Sequence, residues 1–188
     1  MKSLFFSIAW RLYFLFPPSV RQILKNLLKG GGGHEDSMFS KQIAMRDAKG
    51  KCNLERASII FAEYLEILDC KTIEGKVCLE IGAGYVSINS IIMWLLGAKR
   101  VHAMDLNNIL VVEALDLACS KFDKSKVFET LVKFVDDSEK LRQKIDYLFD
   151  FKFKNLDDLD YFFSYIAPFN ILNDVIDNKF DFVFSISV

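Results

Sequence analysis

The sequence predicts an α/β chain whose core is a doubly wound, mostly parallel sheet, preceded by an N-terminal helical arm. Three observations carry this. From residue 76 onward, short apolar runs alternate with amphipathic helical stretches, the pattern of strand–helix–strand units with right-handed crossovers. The runs are short and mainly apolar, as suits strands buried on both faces. A chain of 188 residues that is 52% apolar is also long enough for one domain with a sizeable core.

Residues 1–34 read as the arm. They hold no Asp or Glu but carry Lys2, Arg11, Arg21, Lys25 and Lys29. The stretch LFFSIAWRLYFLF at 4–16 is apolar apart from Ser7 and Arg11, and Pro17-Pro18 ends it. As a helix it would reach about 20 Å, short of the roughly 30 Å hydrocarbon core, and Arg11 lies in its middle. No small-x-small cleavage pattern follows, which argues against a secretory signal. Two readings stand. One is a helix or helix pair packed over the main domain; the other is a basic amphipathic segment through which residues 1–30 rest on an anionic membrane surface. The glycines at 30–33 form a hinge between the arm and a domain over 35–188. His34-Glu35-Asp36 beside them reads as a solvated loop cluster.

The domain's elements follow in order. Asn53 is a good N-cap for LERASIIFAEYLEIL at 54–68, with Leu54, Ala57, Ile60, Phe61, Tyr64 and Leu68 near one face. Glu74-Gly75 turns the chain into a first strand at 76–81. A helix at 86–96 follows and closes on Gly97 at its C′ position. A second strand covers 100–104 and a second helix 108–122. Residues 123–160 interrupt the rhythm with charge-rich helical spacing (Val127, Leu131, Phe134, Val135, then Leu141, Ile145, Leu148). They predict an insertion of two or three surface helices, the last a short one capped by Asn155. Strand pattern returns at 161–169 and again in FDFVFSISV at 180–188.

Charge and cysteines narrow the chemistry. A net charge of −1 gives no drive toward nucleic acid, so no nucleic-acid partner is expected. Cys52, Cys70, Cys78 and Cys119 form no C-x-x-C pair and His34 and His102 lie far apart, so no metal site is read. Isolated thiols without a clear signal peptide fit a reducing, cytoplasmic setting, with the membrane surface as the alternative address for the arm.

The most informative stretch is VCLEIGAGYVSI at 77–88. Gly82 and Gly84 can take backbone angles closed to other residues and let a ligand approach the main chain. The turn follows the first strand, where parallel sheets bind ligands. A dinucleotide fingerprint would place a third glycine at 87, where this chain has Ser87. Glu80, two residues before the first glycine, would repel a pyrophosphate but suits a ligand bearing ammonium and sulfonium charges. The second strand ends in Asp105, 21 residues after Gly84, where a carboxylate can accept hydrogen bonds from both ribose hydroxyls of an adenosine.

Taken together, VCLEIGAGYVSI and LLGAKRVHAMDLN strongly resemble the first half of the class I S-adenosylmethionine-dependent methyltransferases, which have a Rossmann-like fold. The likeness covers residues 75–122 and resumes at YIAPFNI (165–171) and FDFVFSISV. It implies S-adenosyl-L-methionine as cofactor, with Glu80, Gly82, Ala83 and Gly84 around its methionine part. It further implies that Asp105 holds the ribose, Leu106 flanks the adenine, Asn170 accepts from the adenine amino group, and Ser185 faces the reacting centre through its hydroxyl or backbone carbonyl, the alternative being a structural strand serine. No catalytic residue is read, and the methyl acceptor is not specified. His102, inside the second strand, reads as a packed or edge histidine.

In that family the first strand lies between the second and fourth, and further strands follow the fourth. Here the domain reads as truncated after its fourth strand, leaving Phe182, Phe184 and Ile186 on an edge unless a partner chain covers them. Two rival functions remain: a non-catalytic Rossmann-like binding or scaffold protein, and an NAD(P)-dependent oxidoreductase. For the arm, sedimentation with anionic liposomes decides. The interfacial reading predicts that the full chain pellets with the vesicles and that deletion of residues 1–30 abolishes this; packing over the domain predicts that it stays in the supernatant.

Overall fold

The computed structural model describes residues 35–50, 52–169 and 179–185, with side chains from residue 40 onward. The arm, the glycine hinge, Asn170 and Ile186 therefore lie outside the described residues. The chain divides into two units, Met1–Phe39 and Ser40–Val188, and the second carries the sheet.

The first described helix, α1 (Glu35–Lys49), takes in Glu35 and Asp36, expected in a loop cluster, and a following stretch to which the sequence reading gives no element. Among its described side chains the buried ones are Ala44 and Ala48, four residues apart, and two methyl groups make a faint apolar signal. The amide of Gly50 bonds back to the Arg46 carbonyl and ends it. In α2 (Leu54–Ile67), the Asn53 side chain accepts the Arg56 amide at 2.9 Å, as the N-cap expectation requires. The buried stripe is rotated from the expected one: Leu54, Ala57, Ser58, Phe61, Ala62 and Leu65 face inward, while Tyr64 and Leu68 are exposed. Phe61 sets that rotation, its ring 4.6 Å from that of Phe184.

The sheet elements are β1 (Val77–Ile81), α3 (Ile88–Leu95), β2 (Arg100–Met104), α4 (Val112–Cys119), α5 (Lys124–Leu131), α6 (Ser138–Asp150), β3 (Ser164–Ile166) and β4 (Phe182–Phe184). Short 3-10 turns at Val132–Phe134 and Leu156–Tyr161 complete the insertion. The four strands are parallel in the order β3-β2-β1-β4, a Rossmann-like arrangement with β1 between β2 and β4. The order reverses beside β1, so its carboxyl end faces the crevice where such sheets hold ligands.

Of the elements that begin later than expected, two are shifted most, each for a local reason. β3 begins at Ser164 rather than 161, because a capping box holds the preceding residues in a 3-10 turn. There the Asn155 side chain accepts the Asp157 and Asp158 amides, and Asp158 accepts the Asn155 amide. α4 begins at Val112 rather than 108, because residues 107–110 are tied down by a side chain from β3, described below. The insertion is not merely a surface: Val127, Leu131, Phe134, Leu141, Ile145 and Leu148 are buried, and α2 packs against both α3 and α5.

Strand register places Tyr165, Ala103, Glu80 and Phe184 in one row across the sheet, and Ser164, His102, Leu79 and Val183 in the next. Alternation sends the two rows to opposite faces. Phe184, expected on an exposed edge, is buried at 6% because α2 covers its face through Phe61 and Tyr64. Val183, on the other face, is 55% exposed. The start of β4 is fixed by Asp181, whose side chain accepts the Val77 amide and whose own amide bonds to the Val77 carbonyl, both at 2.9 Å. Among the described residues no helix is long and apolar enough to cross a membrane.

Gly97 ends α3 at φ +84°, and a Cβ there would lie 3.0 Å from Cγ of Glu74. Gly97→Ala therefore meets both backbone strain and a side chain that is itself tied to Lys140. Urea denaturation should show a loss of about 1–3 kcal/mol.

Candidate functional site

The site begins with a buried acid. Glu80, near the end of β1, is 2% exposed, and a carboxylate so placed must find donors. It finds four. Its Oε2 accepts the Ser87 hydroxyl at 3.0 Å, the Ser90 hydroxyl at 2.5 Å and the Ser90 amide at 3.2 Å; its Oε1 accepts the Asn89 side-chain amide at 2.9 Å. All four donors come from the first turn of α3 or the residue before it. Ser87, at the N-cap position, has φ +48° and makes no capping bond of its own. Glu80 supplies the missing cap from the neighbouring strand and sets a negative group at the helix's positive end. Burial pushes its carboxyl above the usual carboxylate range, against the opposing pull of the serine and asparagine donors.

Above Glu80 the chain makes the glycine turn. Gly82 and Gly84 have φ of +73° and +67°, the left-handed region that glycine enters without strain. A Cβ on Gly82 would meet no atom within 4 Å, so the turn has open space beside it. The amides of Gly82 and Ala83 bond to the Met104 carbonyl at 2.8 and 3.1 Å, anchoring the turn to the end of β2. Asp105 follows Met104 and accepts the Gly84 amide on Oδ2 at 2.9 Å and the Asn107 amide on Oδ1 at 3.1 Å. Each carboxylate oxygen carries two lone pairs, so each keeps one for a further donor. The Val111 amide bonds to the Tyr85 carbonyl at 2.9 Å, a third tie between the glycine turn and the segment after β2.

The structure thus brings Glu80, Gly82, Ala83, Gly84 and Asp105 together at the carboxyl ends of β1 and β2. They are not equivalent. Glu80 and Ala83 are buried, whereas Asp105 is half-buried and Leu106 beside it is 59% exposed. Glu80 does not open on the crevice; its influence on anything bound there passes through the turn and helix that it fixes. Ser185 is exposed directly after Phe184, the residue paired with Glu80, and so belongs to the same end of the sheet. The Phe169 amide bonds to the Asp105 carbonyl at 2.8 Å, so the chain after β3 passes this site before residue 170.

Compared with known proteins, the chain matches no family model, no curated protein and no solved structure.

Sequence reasoning missed two parts of this site. Ser87, Asn89 and Ser90 are read there as a missing glycine and ordinary helix residues, although three small polar residues after an acid-glycine turn are the donors a buried acid needs. Tyr165 carried no signal at all, since only the fold sets its hydroxyl beside residues 107–110. His102 lies one row away, on the opposite face from Glu80, with its ring 5.7 Å from that of Phe180. Its Nδ1 has no hydrogen-bond partner among the described residues, and burial, with Arg100 nearby, holds its pKa below the usual value.

The raised Glu80 pKa has a definite sign. Between the unfolded value of about 4.3 and its higher value in the fold, the native state holds a proton that the unfolded chain has released. Stability therefore falls as pH rises through that window. Urea denaturation from about pH 4 to pH 8 should show this slope in the wild type and a flatter one in Glu80→Gln. Glu80→Ala leaves the Ser90 amide and three side-chain donors without a partner and should lose about 2–4 kcal/mol at neutral pH.

Proposed function

We propose that this chain binds S-adenosyl-L-methionine and is the cofactor-binding part of a class I methyltransferase. The observation that carries the reading is the bond between Asp105 and the Gly84 amide, which sets a carboxylate with free lone pairs against an open glycine turn. Ligands of open parallel sheets sit in that crevice. A ribose diol needs two acceptors side by side, and Asp105 keeps one on each oxygen. Leu106, exposed and adjacent, offers an apolar surface to a base. The chemistry that S-adenosylmethionine supplies when bound is a methyl carbon already activated by its sulfonium. What remains for the protein is to hold and orient. The glycine turn admits the ligand close to the main chain, and Glu80 keeps that turn and the α3 N-terminus in place. No general base is assigned, and the acceptor is left open.

Two other functions use the same crevice. A scaffold protein would carry the turn without affinity for the adenosyl group, and an oxidoreductase would prefer NAD. Calorimetry on the folded chain with S-adenosylmethionine, S-adenosylhomocysteine and NAD separates the three. The proposal expects the first two to bind, and Asp105→Ala to weaken both by about 10- to 100-fold through the lost charge-assisted hydrogen bonds. A folded chain that binds neither adenosyl compound would sink it.

A further inference from the structure

Residues 107–110 form the stretch between Asp105 and α4, and one hydroxyl organises it. Tyr165 projects from β3 in the row that holds Ala103 and Glu80. Its oxygen accepts the Ile109 and Leu110 amides, both at 3.3 Å, and donates to the Asn107 carbonyl at 3.4 Å. A phenol has one donor and two acceptor sites, so the three bonds exhaust it. The segment is anchored at its two ends as well, by Asn107 to Asp105 and by Val111 to the Tyr85 carbonyl. Tyr165 is its only side-chain anchor to β3 among the described hydrogen bonds. Burial raises its pKa above the ordinary tyrosine value, with the two amide donors opposing, so the hydroxyl keeps its proton at neutral pH.

We propose that Tyr165 is a positioning residue for adenosine recognition, its hydroxyl holding residues 107–110 so that Asp105 and Leu106 face the ribose and base. The inference rests on the adenosyl reading above and adds a residue to it. Its role needs no contact with the ligand. It acts through the loop: the Asn107 carbonyl that it binds belongs to the residue whose amide orients Asp105, and freeing that residue lets the carboxylate turn.

The test is Tyr165→Phe in the full chain, which keeps the ring and removes only the hydroxyl. Hydrogen exchange reports on the loop without any ligand: the Ile109 and Leu110 amides should exchange at least about tenfold faster than in the wild type, with the unfolding midpoint little changed. Calorimetry then compares adenosine with 2′-deoxyadenosine, and S-adenosylhomocysteine alone. The variant should bind S-adenosylhomocysteine about tenfold more weakly, and its preference for adenosine over the deoxy compound should shrink toward that of Asp105→Ala. A merely structural tyrosine would leave that preference intact. Unchanged exchange at Ile109 and Leu110, or an unchanged adenosine preference in a variant that binds, overturns the role of Tyr165 while the adenosyl reading survives. A wild-type chain that binds no adenosyl compound overturns both.

Discussion

A carboxylate removed from water on a central strand is the constraint around which this domain is arranged. Left alone, Glu80 would cost several kcal/mol, so the fold must bring donors to it. The donors available are those of the α3 N-terminus, which has its own unsatisfied amides to place. Each end answers the other's need: the strand's acid caps the helix, and the helix's serines and asparagine solvate the acid. The path from β1 to α3 is then short and fixed, and only a turn with left-handed residues can follow it. Gly82, Gly84 and the unusual Ser87 conformation are consequences of that geometry.

From this core the sheet spreads in both directions. β2 lies alongside β1 and offers the Met104 carbonyl to the turn; β3 contributes Tyr165 at the same level; β4 is held by Asp181 at one end and by Phe184 beneath α2 at the other. α2 and α3 pack on the face to which Glu80 and Phe184 point, α2 through Phe61 on Phe184 and α3 through Asn89 and Ser90 on Glu80. In the opposite row Val183 and Ser164, on the outer strands, are exposed, while Leu79 is buried and His102 half-buried.

Much of this was legible in the sequence because it rests on local chemistry. The apolar run at 76–81, the glycines after it, Gly97 closing α3, and the Asn53 and Asn155 caps each depend on a few neighbouring residues, and each lies where the sequence puts it. The failures are of another kind. α1 buries alanines, whose small apolar area barely registers in a periodicity. The inward face of α2 was turned by a phenylalanine more than a hundred residues away. α4 starts late because the Asn107 carbonyl takes the Tyr165 hydroxyl and the Val111 amide goes to the Tyr85 carbonyl, the two groups that an earlier helix start would have joined. At the candidate site the pattern identified the residues that gather, but not that Glu80 would face inward and be consumed by the helix. That outcome depends on the depth of a side chain, which spacing along the chain does not encode.

The ties between the glycine turn and the segment after β2 have a consequence for recognition. They are bonds within the protein, complete before anything docks: Gly82 and Ala83 to Met104, Gly84 to Asp105, Val111 to Tyr85. A molecule entering this crevice meets a preorganised rim and immobilises little of the chain on arrival. Ordering losses that weaken binding by floppy loops are small here, having been met during folding. Selectivity then rests on shape and on the few unused lone pairs, and a molecule that cannot match them gains nothing from a rim that does not adapt.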